Sequence, residues 1–235
     1  MSTKKQNVRG GTKTLALVSV MAMAVCGASP AFAANMLTNG SFETPVMTTN
    51  SWYILQAADT NYLTGWTYSA PGDSYALHIN GKGPGGTATV IGPQDGTECL
   101  ELDFGTSAGN VYIEQTLTGL AVGTSYSVEG YYAWLHRGGS EHGHFKVSVS
   151  GIGDILPSTL VSNDTQWTLF SVPFTATATS QTLRITSLGL NGGQQTGLDN
   201  ISVNPVPEPV LGGLALAGLL SVLGRGRRRV LPRKP

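Results

Sequence analysis

Val111-Tyr112-Ile113-Glu114-Gln115-Thr116-Leu117-Thr118 alternates at every step. Val111, Ile113, Gln115 and Leu117 share one face, and Tyr112, Glu114, Thr116 and Thr118 share the other. A period of two is the signature of a strand with one face on a core and the other in water. The same rhythm returns downstream. Tyr126, Val128, Tyr132 and Trp134 line one side of a run, and Phe145, Val147 and Val149 alternate with Lys146, Ser148 and Ser150. Leu183 and Ile185 alternate with Thr182, Arg184 and Thr186, and Ile201 and Val203 form a closing strand.

Between these runs lie turn signals such as Leu120-Ala121-Val122-Gly123-Thr124 and Asn191-Gly192-Gly193. No window shows sustained helical periodicity with caps. Short strands at this spacing predict an all-β chain folded as one β-sandwich over residues 34–204.

The two ends read differently. In residues 1–33, Lys4, Lys5, Arg9 and Lys13 precede the apolar run Leu15 to Val25, and Ala31-Phe32-Ala33 supplies a small-x-small cleavage motif. This is the layout of a secretory signal peptide, whose removal would leave Ala34 first. A lipoprotein signal ending at Cys26 is disfavoured, because β-branched Val25 stands where a small residue is needed. At the far end, Val206-Pro207-Glu208-Pro209 leads into an apolar helix over residues 210–224, then Arg225, Arg227, Arg228 and Arg229, with residues 230–235 as a short extension. An apolar segment closed by a basic cluster is the pattern of a membrane segment with its positive end in the cytoplasm. It falls short of the ~20 residues that cross a bilayer comfortably, so a marginal span and a buried helix both fit its length.

Charge is unevenly divided. The chain carries 14 Lys and Arg against 14 Asp and Glu, yet only Lys82, Arg137, Lys146 and Arg184 lie between the two terminal segments. The delivered domain is therefore acidic, which argues against nucleic acid or anionic lipid as its partner. Cys99 is the one cysteine left after the signal, so no internal disulfide forms, and its place in an apolar run predicts a buried thiol.

Two resemblances add to this. Pro207-Glu208-Pro209, the apolar helix and the Arg-rich end resemble the PEP-CTERM sorting signal of Gram-negative bacteria that make exopolysaccharide. That likeness implies processing of residues 205–229 by an exosortase-type membrane enzyme. It also implies an inner-membrane intermediate held through 210–224, followed by release to the cell envelope or outside. Within the domain, Leu37-Thr38-Asn39-Gly40-Ser41-Phe42-Glu43, Gly65-Trp66, Ile113 to Leu117, Gly123 to Tyr126 and Gly197-Leu198-Asp199-Asn200-Ile201-Ser202-Val203 follow one another in order. Their order resembles the galactose-binding-like jelly rolls of carbohydrate-binding modules, and implies a single jelly-roll β-sandwich. It further implies that Glu43 and Asp199 come together across neighbouring first and last strands and join carbonyls in a structural calcium site; hard carboxylate oxygens suit that ion. The plainer alternative is a solvated Glu43 and a turn-capping Asp199.

Three further groups merit weighing. His136-Arg137-Gly138-Gly139-Ser140-Glu141-His142-Gly143-His144 reads as a solvated loop, with a metal site or a ligand contact through His136 as alternatives. Gly105-Thr106-Ser107-Ala108-Gly109 fits G-x-S-x-G, but a strand-like run follows where a nucleophile elbow needs a helix, so Ser107 reads as a hairpin residue. Trp52 and Tyr53 sit in an expected loop and are the candidate platform for stacking sugar rings. The sequence and its resemblances thus predict an exported cell-envelope or extracellular-matrix protein sorted through its tail, with a non-catalytic β-sandwich to which glycan binding is open. A dedicated exopolysaccharide-binding module is the alternative, and a secreted hydrolase the more remote one.

Overall fold

The computed structural model describes residues 35–56, 59–69, 74–81, 91–105, 110–135, 143–161, 166–188 and 196–207. Among them run β1 (Trp52–Leu55), β2 (Thr67–Ser69), β3 (Ser74–Asn80), β4 (Glu98–Gly105), β5 (Tyr112–Thr118) and β6 (Ser125–Ala133). They are followed by β7 (Gly143–Val149), β8 (Gly153–Val161), β9 (Thr168–Thr175), β10 (Ser180–Ser187) and β11 (Thr196–Pro205). These strands make two sheets, ordered β1-β3-β4-β11-β6-β9 and β2-β5-β10-β7-β8. Every pairing is antiparallel. The all-β reading holds: the described residues contain no helix. The signal peptide and the apolar tail helix lie outside the described residues.

Alternation dictates the packing. Ile113 and Leu117 of β5, Leu183 and Ile185 of β10 and Phe145 and Val147 of β7 are fully buried in one core with Leu100, Leu102, Val128 and Val203 of the other sheet. Gln115 is the polar member of that inward row. Its amide is satisfied against a single residue of the opening segment: Thr38 N–H donates to Oε1 at 2.7 Å and Nε2 donates to Thr38 O at 2.9 Å. A buried amide with both ends paired costs little and fixes where residue 38 lies.

The opening segment lies along β11. Met36 N–H donates to Val203 O at 3.0 Å, and Ile201 N–H to Gly40 O at 2.8 Å. Asn35 spans the same strand, donating to Ile201 O and accepting from Val203 N–H. Gly40 packs so closely on Ile201 that a Cβ there would collide with its carbonyl oxygen. Trp66, fully inside, donates from Nε1 to Asn39 O at 2.9 Å and leans on Phe42.

The six-stranded sheet is covered on its outer face as well. Leu77 and Ile79 of β3, Cys99 of β4 and Ala133 and Leu135 at the end of β6 form a second buried cluster there, with Ile54 and Trp167 packed against it. Cys99 is buried and free, as its setting predicted.

Two local expectations change. Trp52 and Tyr53 stand not in a loop but in β1, the sheet-edge strand, because Trp52 to Leu55 find partners in Ile79 to Ala76 of β3. The histidine-rich stretch is not a loop throughout: Gly143 and His144 belong to β7, and His144 Nδ1 lies 3.2 Å from Ser158 Oγ.

Candidate functional site

The edge strand β1 presents the predicted rings to solvent, Trp52 at 40% and Tyr53 at 38% exposure. As neighbours in a strand they point to opposite sides of the sheet. Tyr53 is held rigid. It stacks on Tyr62 with ring centres 4.2 Å apart and planes within 7°, and its hydroxyl donates to Asp59 Oδ1 at 3.3 Å. The Asp59 carboxylate beside it raises the phenol's pKa, keeping it protonated. Asp59 is in turn fixed by Gln56 N–H. The result is an exposed, stacked tyrosine with a carboxylate hydrogen-bonded to its hydroxyl, and Trp52 exposed on the other side of the strand.

Behind this edge lies a closed polar knot. Tyr62 meets His78 edge-on, and His78 and Glu98 are both buried. His78 Nε2 is 2.7 Å from Phe42 O and 2.8 Å from Glu98 Oε2. Glu98 Oε1 accepts from Met47 N–H at 2.6 Å and from Asn80 Nδ2 at 3.1 Å. Burial pulls the His78 pKa down, against the opposing pull of Glu98. With no solvent access the knot serves to tie residues 42–47 to β3 and β4.

Glu43 and Asp199 do converge on one segment, residues 94–98. Glu43 Oε1 accepts from the Thr97 and Glu98 amides at 2.9 and 2.8 Å, and Oε2 from Thr97 Oγ1. Its carboxylate lies against Gly96, where φ is 59° and a Cβ would collide with Oε1. Asp199 Oδ2 accepts from the Gln94 and Asp95 amides at 2.7 and 3.0 Å, and Oδ1 from Asn200 N–H. Burial raises the Asp199 pKa to about 7, with those amides working against the rise. Both carboxylates therefore face N–H donors, the opposite of what a cation's shell supplies. Among the described residues no three His, Cys, Asp or Glu side chains converge as a metal site would need. The pair as it stands does not fit calcium.

Sequence reasoning missed Glu101. It lies on the outer face of β4, opposite Leu77 on β3 and Gly197 on β11. It is 1% exposed, and its Oε1 has no hydrogen-bond partner. Desolvation pushes its pKa to about 8, so at neutral pH it is largely a protonated acid. The neighbouring Cys99 thiol is pushed well up by burial and by the acids around it, Asp199 foremost, which leaves it unreactive. The signal available in sequence was a carboxylate inside the apolar run Cys99 to Leu102, though its environment is set by strands far away in the chain.

His136, Ser107, Glu208, Pro209, Arg225, Arg227, Arg228 and Arg229 lie outside the described residues, while Val206 and Pro207 are exposed just beyond β11.

Residues 35–204 match the family model described as "Protein of unknown function (DUF642)", and the chain belongs to that family. Halomucin from Haloquadratum walsbyi is 29% identical over 201 residues, covering 83% of this chain; the chain spans only 2% of that protein's length. Among solved structures, the Stig cyclase Fisc from Fischerella sp. TAU is 16% identical with a TM-score of 0.57, covering 74% of this chain and 97% of its own. TmCBM61, solved in complex with β-1,4-galactotriose, is 14% identical with a TM-score of 0.50, covering 73% and 99%. These likenesses establish the jelly-roll-like sandwich, a fold that carries unrelated roles.

Proposed function

We propose that this DUF642 member is an exported, non-catalytic β-sandwich that binds glycan at the cell envelope or outside the cell, delivered there by a PEP-CTERM tail. The observation that carries the binding reading is the rigid aromatic edge on β1. Trp52 and Tyr53 are the large exposed rings among the described residues, one on each side of the strand, and Asp59 stands beside Tyr53 to take sugar hydroxyls. Apolar ring faces bordered by fixed polar groups suit ligands that are apolar on one side and hydroxylated on the other. The sandwich shared with TmCBM61 is compatible with such a role. Delivery rests on the terminal segments: an exosortase-type enzyme would act near Pro207 to Pro209 while residues 210–224 hold the inner membrane.

Native affinity electrophoresis of the secreted protein through gels containing galactan, β-glucan or mannan tests the binding reading. Retardation by at least one of them is expected, with Trp52→Ala weakening it about tenfold, as loss of a central aromatic contact does elsewhere. A wild-type protein that none of these gels retards is not a binder of neutral glycan.

A further inference from the structure

The outer face of the five-stranded sheet carries a polar array that neither terminal signal nor the β1 edge accounts for. Register places Thr67, Glu114, Arg184, Ser148 and Asp154 opposite one another in a single row crossing β2, β5, β10, β7 and β8. At ~4.8 Å per strand the row is about 19 Å long. Arg184 is the ridge in its middle. Its Nε and an NH2 group bind Glu114 Oε2 at 2.8 and 2.6 Å, and its guanidinium lies 4.0 Å above the Tyr112 ring. Lys146 pairs with Asp154 at 3.2 Å. Short side chains flank the ridge and leave two hollows of about 410 and 500 Å³, which meet at Ser148 and Arg184.

Three features say what such a surface takes. None of the large exposed apolar residues among those described is a wall of either hollow, whereas protein interfaces centre on aromatic and apolar residues. Taken over the whole array the charges come in matched pairs, Arg184 with Glu114 and Lys146 with Asp154, so it has no net sign, although the two cations line the smaller hollow and the two acids the larger. Each ion pair sets a donor beside an acceptor, and Ser148, Thr182 and Thr186 add hydroxyls that do both. Adjacent hydroxyls of a sugar offer the complementary set. Because Arg184 is already locked by Glu114 and Tyr112, little side-chain freedom is lost when a ligand arrives.

We propose that this groove is a second glycan subsite, holding an uncharged polysaccharide chain laid across β5, β10 and β7. The subsite rests on the glycan-binding reading but stands in a different sheet from the Trp52 edge, so the two can be tested apart. Two subsites on one polymer strengthen retention together, and losing either weakens it.

The experiment uses the same gels of galactan, β-glucan and mannan, with alginate as an anionic comparison. Ser148→Trp fills the groove from an outward position without removing an ion pair, and Arg184→Met removes the ridge. Both variants are expected to reduce retardation in a neutral glycan about tenfold, and Ser148→Trp combined with Trp52→Ala to abolish it, while melting temperatures stay within a few degrees of wild type. Retardation that falls in Trp52→Ala but is unchanged in Ser148→Trp and Arg184→Met would overturn the groove and leave the glycan-binding reading standing. Retardation by alginate alone would overturn the neutral-chain assignment. No retardation of wild type in any gel removes the binding reading itself and the subsite with it.

Discussion

Glu101 shows how a single side chain can set a pH dependence that composition does not announce. Its folded pKa, about 8, lies above the ordinary carboxyl value of 4.5. The folded state therefore holds a proton that the unfolded chain releases. Its contribution is fully present below pH ~4.5, falls as pH rises, and is exhausted above about 8. At ~1.4 kcal/mol per unit the loss is on the order of 5 kcal/mol. Asp199, raised to about 7, acts in the same direction. Buried His78, with its pKa lowered, opposes them by favouring the fold as pH rises toward about 6.5. Denaturant unfolding at pH 5, 7 and 9 should therefore show a net decline, and Glu101→Gln should remove the larger part of it. Equal slopes in wild type and variant would show that Glu101 is ionised in the fold. The sequence displays the carboxylate but not its isolation, since Leu77 and Gly197, which flank it, are distant in the chain. Gln115 is the converse case: its inward position was legible from alternation, while its partner Thr38 was not.

Among elements, β5, β6, β7 and β10 were readable because each keeps a wetter face along most of its length, so the period of two survives in the residue string, and in β11 it survives only over the second half, from Asn200 on. β4 was not, because Leu100 and Leu102 face one core while Cys99 faces another. The edge strand β1 spans only four residues and owes its conformation to pairing with β3. β8 and β9 contain Pro157 and Pro173, which weaken a strand signal and are tolerated because both strands are sheet edges. The joining of Glu43 and Asp199 is an element-scale matter too. The resemblance placed them together, and each accepts from backbone amides of the segment leading into β4, Glu43 from Thr97 and Glu98 and Asp199 from Gln94 and Asp95. Glu43→Ala removes the acceptor of the exposed Thr97 amide and of the partly buried Glu98 amide and should cost about 1 kcal/mol in unfolding experiments. Because amides already supply the donors, melting temperatures in millimolar calcium and in chelator should coincide. A rise of several degrees with calcium would show that the ion displaces the amides and restore the metal reading.

For the whole molecule, the strongest consequence of the terminal segments is electrostatic. The full chain is formally neutral. Residues 34–209 hold four Lys and Arg against fourteen Asp and Glu, a formal charge of −10. Processing at both ends would turn a balanced precursor into a strongly acidic product, since the ten remaining cations all lie in the segments removed. A formal charge of that size favours solubility and repels anionic lipid surfaces. Intact mass and isoelectric focusing of the protein recovered from its exporting cell read this directly. The expected product starts at Ala34, ends near Pro209, focuses well below the precursor's neutral point of about 6.9 and fractionates outside the inner membrane. A product that keeps Arg225 to Arg229 would retain four of those ten cations and partition with the inner membrane. That result would make the tail a permanent anchor, with the sandwich and its two proposed glycan subsites displayed from the membrane rather than released.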